Sequence, residues 1–193
     1  MQEFIQLKIS LKKSNPLIWR EFQVYRDTTF FELHHIIQIT MGWQNYHMCE
    51  FNLDGYRIGA IFEDDNYGSD SVLDSKTVKL SDVISNKGDI ITYEYDFGDG
   101  WQHTIEVQDF LDADSNISYP ICIDGQMACP PEDCGGIHGF YDYLEILKDK
   151  KHPEYKELKT WMPRGYDPTK FDKEKVNKQL DKLDKYIFKW LKG

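Results

Sequence analysis

Hydrophobic and polar residues alternate strictly over residues 4–12. The hydrophobic face of this stretch consists of Ile5, Leu7, Ile9 and Leu11. A period of two predicts a half-buried β-strand. Ser14-Asn15-Pro16 then interrupts the pattern, and residues 17–25 are typical of a second strand. The two stretches together predict a β-hairpin.

The pattern changes to a helical period after residue 28. Thr29 and Glu32 have the spacing of a capping box, in which each side chain binds the other residue's backbone amide. A helix over about residues 29–41 puts Phe30, Leu33, Ile37 and Met41 on one stripe, and Gly42 favours its end. His34 falls on this stripe, where it is either a hydrogen-bonded core residue or a site residue, and His35 is predicted to point away.

Later segments repeat both patterns. Residues 47–60 predict a hairpin that turns at Asp54-Gly55, and residues 89–95 and 101–110 form the clearest strand pair. Helical patterns cover about 139–149, 153–162 and 172–191. The sequence therefore predicts an α+β fold of mostly antiparallel hairpins, packed with the helix at 29–41 and with C-terminal helices. We expect a single domain over 1–193, with 1–136 mainly β with one or two helices and 137–193 helical.

Composition and charge narrow the possible partners. The chain has 193 residues, 40 % of them hydrophobic, which suits one packed domain. It has no apolar run of 18 residues and no signal peptide pattern, so we expect no membrane partner and a cytoplasmic location. Residues 148–193 carry a net charge of +6 and residues 1–147 a net charge of −16. The acidic body repels nucleic acid, which could bind only through the basic C-terminal helix. Alternatively, this helix docks on its own chain or on a second one.

The segment around Gly98-Asp99 predicts a tight hairpin with a two-residue turn. In that register Asp96 lies opposite Trp101, and Glu94 lies opposite His103 on the same face. A carboxylate across from an imidazole would favour its protonated form and fix its tautomer. The pair is either part of a site or a structural ion pair. A three-residue turn at 98–100 would instead put His103 opposite Tyr95.

Three of the four cysteines lie close together in the sequence. Cys122, Cys129 and Cys134, with His138, have a spacing close to that of zinc fingers, which makes them candidate metal ligands. The rigid Pro130-Pro131 pair between them and the acidic surroundings argue against zinc. Glu132-Asp133 suits a hard cation or a basic group, or caps a following helix. Residues 62–71 form an acidic loop that is either solvated or a weak calcium site.

Several blocks of the sequence match a known family pattern. They are Pro16-Leu17-Ile18-Trp19-Arg20, Met41-Gly42-Trp43, the stretch from Tyr95 to His103, Pro130-Pro131-Glu132-Asp133-Cys134-Gly135-Gly136, and Asp167-Pro168. Through these blocks the chain resembles, over nearly its whole length, the plasmid pRiA4b ORF-3-like family, whose members are also labelled TnpR-like passengers of insertion elements. The resemblance implies an α+β fold and a history on mobile elements, and it implies no activity. With four scattered arginines, the chain does not match a recombinase site.

Three functions remain open. The first is a non-catalytic binding or accessory module, and the second is a metal-dependent hydrolase or nuclease with a possible divalent metal as cofactor. The third is nucleic-acid binding through the last helix. The second function requires the hairpin at 94–103 to meet the segment 130–136 in one polar recess. The candidate pocket residues are His34, His47, Glu94, Asp96, Asp99, Trp101, His103, Glu132 and Asp133.

Overall fold

The computed structural model describes residues 4–61, 72–112, 114 and 117–192. The strands in this part of the chain are β1 (Phe4–Leu11), β2 (Trp19–Tyr25), β3 (Cys49–Leu53), β4 (Tyr56–Gly59), β5 (Val72–Asp74), β6 (Ile90–Tyr95), β7 (Trp101–Leu111) and β8 (Ile121–Gln126). The helices are α1 (Phe30–Met41), α2 (Leu80–Val83), α3 (Gly136–Lys148), α4 (Tyr155–Trp161), α5 (Lys173–Leu180) and α6 (Leu183–Leu191). The acidic loop at 62–71 lies outside the described residues.

The strands form one sheet in the order β5-β4-β3-β6-β7-β1-β2-β8. Neighbouring strands are antiparallel, except that β4 and β5 are parallel. The predicted α+β class is therefore confirmed. The hairpin between β1 and β2 and the turn at Asp54-Gly55 are also confirmed. The strands β5 and β8 are not among the predicted elements, and β5 is only three residues long.

The first helix begins and ends as its sequence predicts. The Thr29 side chain accepts a hydrogen bond from the backbone N–H of Glu32, and the Glu32 carboxylate accepts one from the backbone N–H of Thr29. Gly42 ends the helix with a φ of 96°, a left-handed conformation that glycine adopts without strain. This end matters for the site, because the loop that follows Gly42 carries His47.

His35 corrects the sequence prediction for α1. It was expected to point away from the core, and it is fully buried. The reason is a second layer, because α5 and α6 pack on the side of α1 that faces away from the sheet. The ring of Trp190 lies 5.0 Å from the His35 ring, measured between centroids. Both faces of α1 are covered, so the spacing of its hydrophobic residues does not predict which residues on the side away from the sheet are buried.

The basic C-terminal segment docks on its own chain. The predicted helix over 172–191 is divided into α5 and α6, and α5 contacts both α1 and β8. The Asn177 side chain accepts a hydrogen bond from the backbone N–H of Cys122 at 2.8 Å and donates one to its carbonyl at 3.0 Å. The lysines on the opposite face, Lys175, Lys178, Lys182, Lys185 and Lys189, are exposed. Nucleic-acid binding through this face stays a prediction.

No helix in the described ranges is both long enough and apolar enough to cross a bilayer.

Candidate functional site

The hairpin between β6 and β7 has a different register from the predicted one. Tyr95 lies opposite Trp101, and Tyr93 lies opposite His103. The connection is therefore the longer loop from Asp96 to Gly100 rather than a two-residue turn at Gly98-Asp99, and the three-residue alternative is wrong too. The backbone N–H of Gly100 donates to the carbonyl of Asp96 at 2.6 Å and closes this loop.

This register separates Glu94 from His103. Because alternate residues of a strand face opposite sides, Glu94 lies on the other face of the sheet, beside Glu50 and Gln102. His103 is fully buried with Trp101. Burial lowers the pKa of the His103 imidazole to about 3, so this ring is neutral near neutral pH. The predicted pairing of Glu94 with His103 is therefore wrong.

Asp96 adopts a conformation that aims one carboxylate oxygen out of the loop. Its φ is 55°, and its Oδ1 accepts hydrogen bonds from the backbone N–H groups of Gly98 at 2.9 Å and Asp99 at 3.3 Å. Short side-chain turns of this kind are typical of aspartate at the start of a loop. Since the local backbone satisfies Oδ1, Oδ2 is left to face His47.

His47 lies in the connection between α1 and β3, and two hydrogen bonds hold that connection against the hairpin. The backbone N–H of Tyr46 donates to the Tyr95 hydroxyl at 3.1 Å. The backbone N–H of Asp96 donates to the carbonyl of Met48 at 2.9 Å. The residues on either side of His47 are thus fixed to the residues that carry Asp96.

The Pro-Pro-Glu-Asp segment reaches the same place. The indole of Trp43 donates to the carbonyl of Pro130 at 3.0 Å. At its other end, Gly136 lies so close to the hairpin loop that a Cβ on it would stand 2.4 Å from the carbonyl oxygen of Asp99. Gly136 also has a positive φ of 70°, so this contact requires glycine. The two regions that the sequence analysis required to meet are therefore in contact.

Three carboxylates surround one nitrogen of His47. Its Nε2 lies 3.1 Å from Asp133 Oδ1, 3.5 Å from Asp96 Oδ2 and 3.9 Å from Glu132 Oε2. The ligand atoms of His47, Asp96 and Asp133 all lie within 4.8 Å of one another. Nε2 is buried and forms no hydrogen bond of acceptable direction in the described part of the chain. We call His47, Asp96, Glu132 and Asp133 the acidic cluster.

The acidic cluster has a buried side and an open side. The side chains of Asp96 and Glu132 are each 8 % exposed, whereas that of Asp133 is 67 % exposed. Burial of a carboxylate is costly, and hydrogen bonds from neutral groups offset that cost without neutralising the charge. The acidic cluster is therefore accessible on the side of Asp133, and on its buried side two carboxylates lie close to a single imidazole.

Glu132 is held by neutral donors. Its carboxylate accepts hydrogen bonds from the backbone N–H of Gln44 at 2.7 Å and from the Tyr95 hydroxyl at 3.1 Å. Burial raises the pKa of the Glu132 carboxyl, and these hydrogen bonds oppose that shift. Burial, together with the nearby Glu132 carboxylate, also raises the pKa of Tyr95, which stays protonated and able to donate.

His34 supports the site from behind. Its Nδ1 lies 2.9 Å from the Tyr93 hydroxyl and its Nε2 lies 2.7 Å from Asn45 Oδ1, and burial lowers its pKa to about 3. Asn45 has a φ of 61°, a left-handed conformation that asparagine adopts more readily than most non-glycine residues. His34 thus fixes the loop that presents His47, and it does not reach the acidic cluster.

The cysteines do not form the predicted ligand set. Among the described residues, no group of three close ligand atoms includes Cys122, Cys129, Cys134 or His138. Burial raises the pKa of the Cys122 thiol to about 11 and that of the Cys134 thiol to about 12. Cys122 instead lies in β8, and Cys129 is buried in the core.

The candidate residues thus divide into two groups. The structure brings together His47, Asp96, Glu132 and Asp133 at the surface. It leaves His34, Trp101 and His103 in the core below, Glu94 on the opposite face of the sheet, and Asp99 at the contact with Gly136. Sequence reasoning missed Tyr95 and Gln44, the two donors to Glu132. With the correct register, the alternation of side chains along β6 places Tyr95 on the same face as Tyr93 and Trp101, and so indicates Tyr95 as a residue near the site.

Comparison with known proteins identifies the family. The sequence profile of the family described as plasmid pRiA4b ORF-3-like protein matches residues 3–175. The chain belongs to this family. The pRiA4b ORF-3-like match includes every residue of the acidic cluster.

Two relatives of this pRiA4b ORF-3-like protein extend the comparison. The uncharacterized protein y4hQ of Sinorhizobium fredii is 31 % identical over 181 residues, which cover 93 % of this chain and 91 % of the relative. The crystal structure of a protein of unknown function from Methanosarcina mazei Go1 aligns with a TM-score of 0.80 at 37 % identity. That alignment covers 89 % of this chain and 96 % of the archaeal chain. The archaeal protein therefore has the same fold as this chain.

Proposed function

We propose that the protein is a divalent-cation-binding module whose cation is held by His47, Asp96 and Asp133, with Glu132 as a fourth carboxylate beside it. The observation that supports this proposal is the set of distances around His47 Nε2, which no hydrogen bond of acceptable direction accounts for. A cation between these atoms would also compensate the buried carboxylate of Asp96, which has no basic side chain other than His47 within ion-pair distance in the described ranges.

The ligand types suggest which cation fits. One imidazole nitrogen with two or three carboxylate oxygens is a mixed set that suits Mn²⁺, Fe²⁺ or Zn²⁺ better than Ca²⁺, which prefers six to eight oxygens. Asp133 is the exposed ligand, so its side chain can adjust as the ion enters. The fixed ligands, His47 and Asp96, lie on segments that are hydrogen-bonded to each other.

Isothermal titration with Mn²⁺ tests the proposed site. We expect one saturable ion per chain, and we expect Asp96→Asn to weaken the affinity by about tenfold or more, since loss of one charged ligand costs at least about 1.4 kcal/mol. The asparagine can still accept the loop hydrogen bonds through its Oδ1, so the turn is preserved. Glu94→Gln is the matched control, because Glu94 lies in the same hairpin on the opposite face. Equal affinity in the wild-type and Asp96→Asn proteins would refute the site.

Metal-dependent hydrolysis is a second candidate function. It is favoured by the open side of the acidic cluster, where a cation with three protein ligands would keep positions for water. A metal-bound water could then attack a phosphate ester. An assay of Mn²⁺-dependent hydrolysis of bis(p-nitrophenyl) phosphate distinguishes the two candidate functions. Binding of Mn²⁺ without turnover by the wild-type protein favours the binding module.

A further inference from the structure

A cavity of about 570 Å³ adjoins the acidic cluster. Its walls are the loop after α1, the segment from Cys129 to Asp133, the stretch 161–172 and α5. Glu132 and Asp133 belong both to the cluster and to this wall. We propose that the cavity binds a nucleoside phosphate, whose phosphate bridges the cation and the basic side chains of the opposite wall. This inference rests on the proposed cation site and names the ligand class for it.

The wall formed by the stretch 161–172 and α5 carries three basic side chains and one carboxylate, Asp172, which accepts a hydrogen bond from the backbone N–H of Lys175 at 2.9 Å. Arg164 and Lys175 line the cavity, are exposed, and form no ion pair with a carboxylate among the described residues. A third basic residue, Lys170, already has its Nζ 3.2 Å from Asp167 Oδ2. An anion that reaches from the cation to Arg164 and Lys175 would therefore meet positive charge at both ends. Phosphate, like carboxylate, binds metal ions and guanidinium groups, and its several oxygens allow it to contact both at the same time.

Arg20 adds a buried positive charge beneath the cavity. It is 1 % exposed and lines the cavity floor. Its guanidinium donates to the carbonyls of Thr40, Trp19 and Gln126, and in the described ranges it has no carboxylate partner. Buried arginines are normally paired with an acid, whereas the partners of this guanidinium are these carbonyls and the ring of Phe171, 4.0 Å away. Its charge is therefore not neutralised, which favours an anion in the cavity.

Two aromatic side chains at the cavity are exposed. Tyr46 is 69 % exposed and Trp161, which packs edge-on against Tyr143, is 43 % exposed, and both line the cavity. Exposed aromatic rings beside basic side chains are suited to stacking a base. This pairing of rings with positive charge favours a nucleotide over a simple phosphate ion.

Size and charge favour a single nucleotide over a nucleic-acid strand. A volume of about 570 Å³ lies within the range of small-ligand sites. The body of the protein, residues 1–147, carries a net charge of −16, which repels a long phosphate backbone. A strand would have to cross this surface, whereas a single nucleotide would contact only the residues that line the cavity, among them Arg164 and Lys175.

Titration of ADP into the full-length protein with saturating Mn²⁺ tests the inference, with adenosine as the ligand that lacks phosphate. We expect ADP to bind about tenfold or more tightly than adenosine, because only ADP forms charge-assisted hydrogen bonds through its phosphates. The double variant Arg164→Ala/Lys175→Ala should weaken ADP about tenfold or more and leave Mn²⁺ affinity, measured without ADP, within about twofold. Trp161→Ala should weaken both ADP and adenosine.

The variant Lys150→Ala/Lys151→Ala is the matched control, since it removes two exposed positive charges away from the cavity. A protein that binds Mn²⁺ and not ADP would overturn the inference and leave the cation site standing. Equal ADP affinity in the wild type and in Arg164→Ala/Lys175→Ala would overturn it as well. Conversely, failure of Mn²⁺ to bind, with ADP binding still sensitive to Arg164→Ala/Lys175→Ala, would remove the cation site and retain the nucleotide cavity.

Discussion

The free energy of unfolding should fall by about 2.7 kcal/mol per pH unit, from His34 and His103 alone, as the pH drops from about 6 to 4. Burial lowers the pKa of each of these imidazoles to about 3. In the unfolded chain each pKa is about 6.5. Between these values the unfolded chain binds two more protons than the folded one, so acid favours unfolding. Above about pH 6.5 the two residues no longer make the stability depend on pH.

Urea unfolding at a series of pH values measures this slope. The carboxylates of the protein also titrate in acid, so the informative quantity is the difference between variants. His34→Gln and His103→Gln should each reduce the slope by about 1.4 kcal/mol per pH unit. His138→Gln, at an exposed position, is the control for the substitution itself. An unchanged slope in both core variants would mean that these rings are protonated in the folded protein.

Arg20→Ala should destabilise the protein by roughly 3–5 kcal/mol, because it leaves three carbonyl groups without their donor and opens a cavity. Those carbonyls belong to Thr40 at the end of α1, to Trp19 in β2 and to Gln126 at the end of β8. The Phe171 ring lies 4.0 Å from the guanidinium carbon and covers it. One side chain thus connects the main helix, the sheet edge and the segment before α5.

Chemical denaturation of Arg20→Ala beside Arg57→Ala tests this role. Arg57 is 49 % exposed and forms an ion pair with Glu50, and exposed pairs of this kind contribute about 0–1 kcal/mol. Arg20→Met keeps most of the apolar stem, so its difference from Arg20→Ala separates packing from hydrogen bonding. A loss in Arg20→Ala no larger than in Arg57→Ala would show that the carbonyls find other donors.

Local patterns predicted the elements whose signals lie within a few residues. The capping box of Thr29 and Glu32, the glycine at the end of α1 and the turn at Asp54-Gly55 all act over short distances. The prediction for the loop Asp96–Gly100 was wrong because the Gly98-Asp99 pair also fits a loop longer than two residues. Asp96 has a positive φ, and its side chain accepts a hydrogen bond from the backbone N–H of Gly98, so that this longer loop can form.

The acidic cluster could be predicted only in part. Residue type alone makes candidates of its four members, His47, Asp96, Glu132 and Asp133. The sequence does not show that these residues lie close together; the metal-dependent function only requires it. Three segments distant in sequence meet there through Tyr95, Trp43 and Gly136, and no local pattern encodes those contacts. The burial of His35 and the basic wall of the cavity depend in the same way on where the C-terminal helices dock.

Crystals grown with Mn²⁺, with diffraction recorded at its absorption edge, show whether His47, Asp96 and Asp133 bind the ion. We expect one strong anomalous peak about 2.0–2.4 Å from His47 Nε2, Asp96 Oδ2 and Asp133 Oδ1, the usual range for nitrogen and oxygen ligands. In crystals of Asp96→Asn that peak should weaken or vanish. Well-ordered density for all three side chains with no anomalous peak between them, or a peak only elsewhere on the chain, would rule out the cation site.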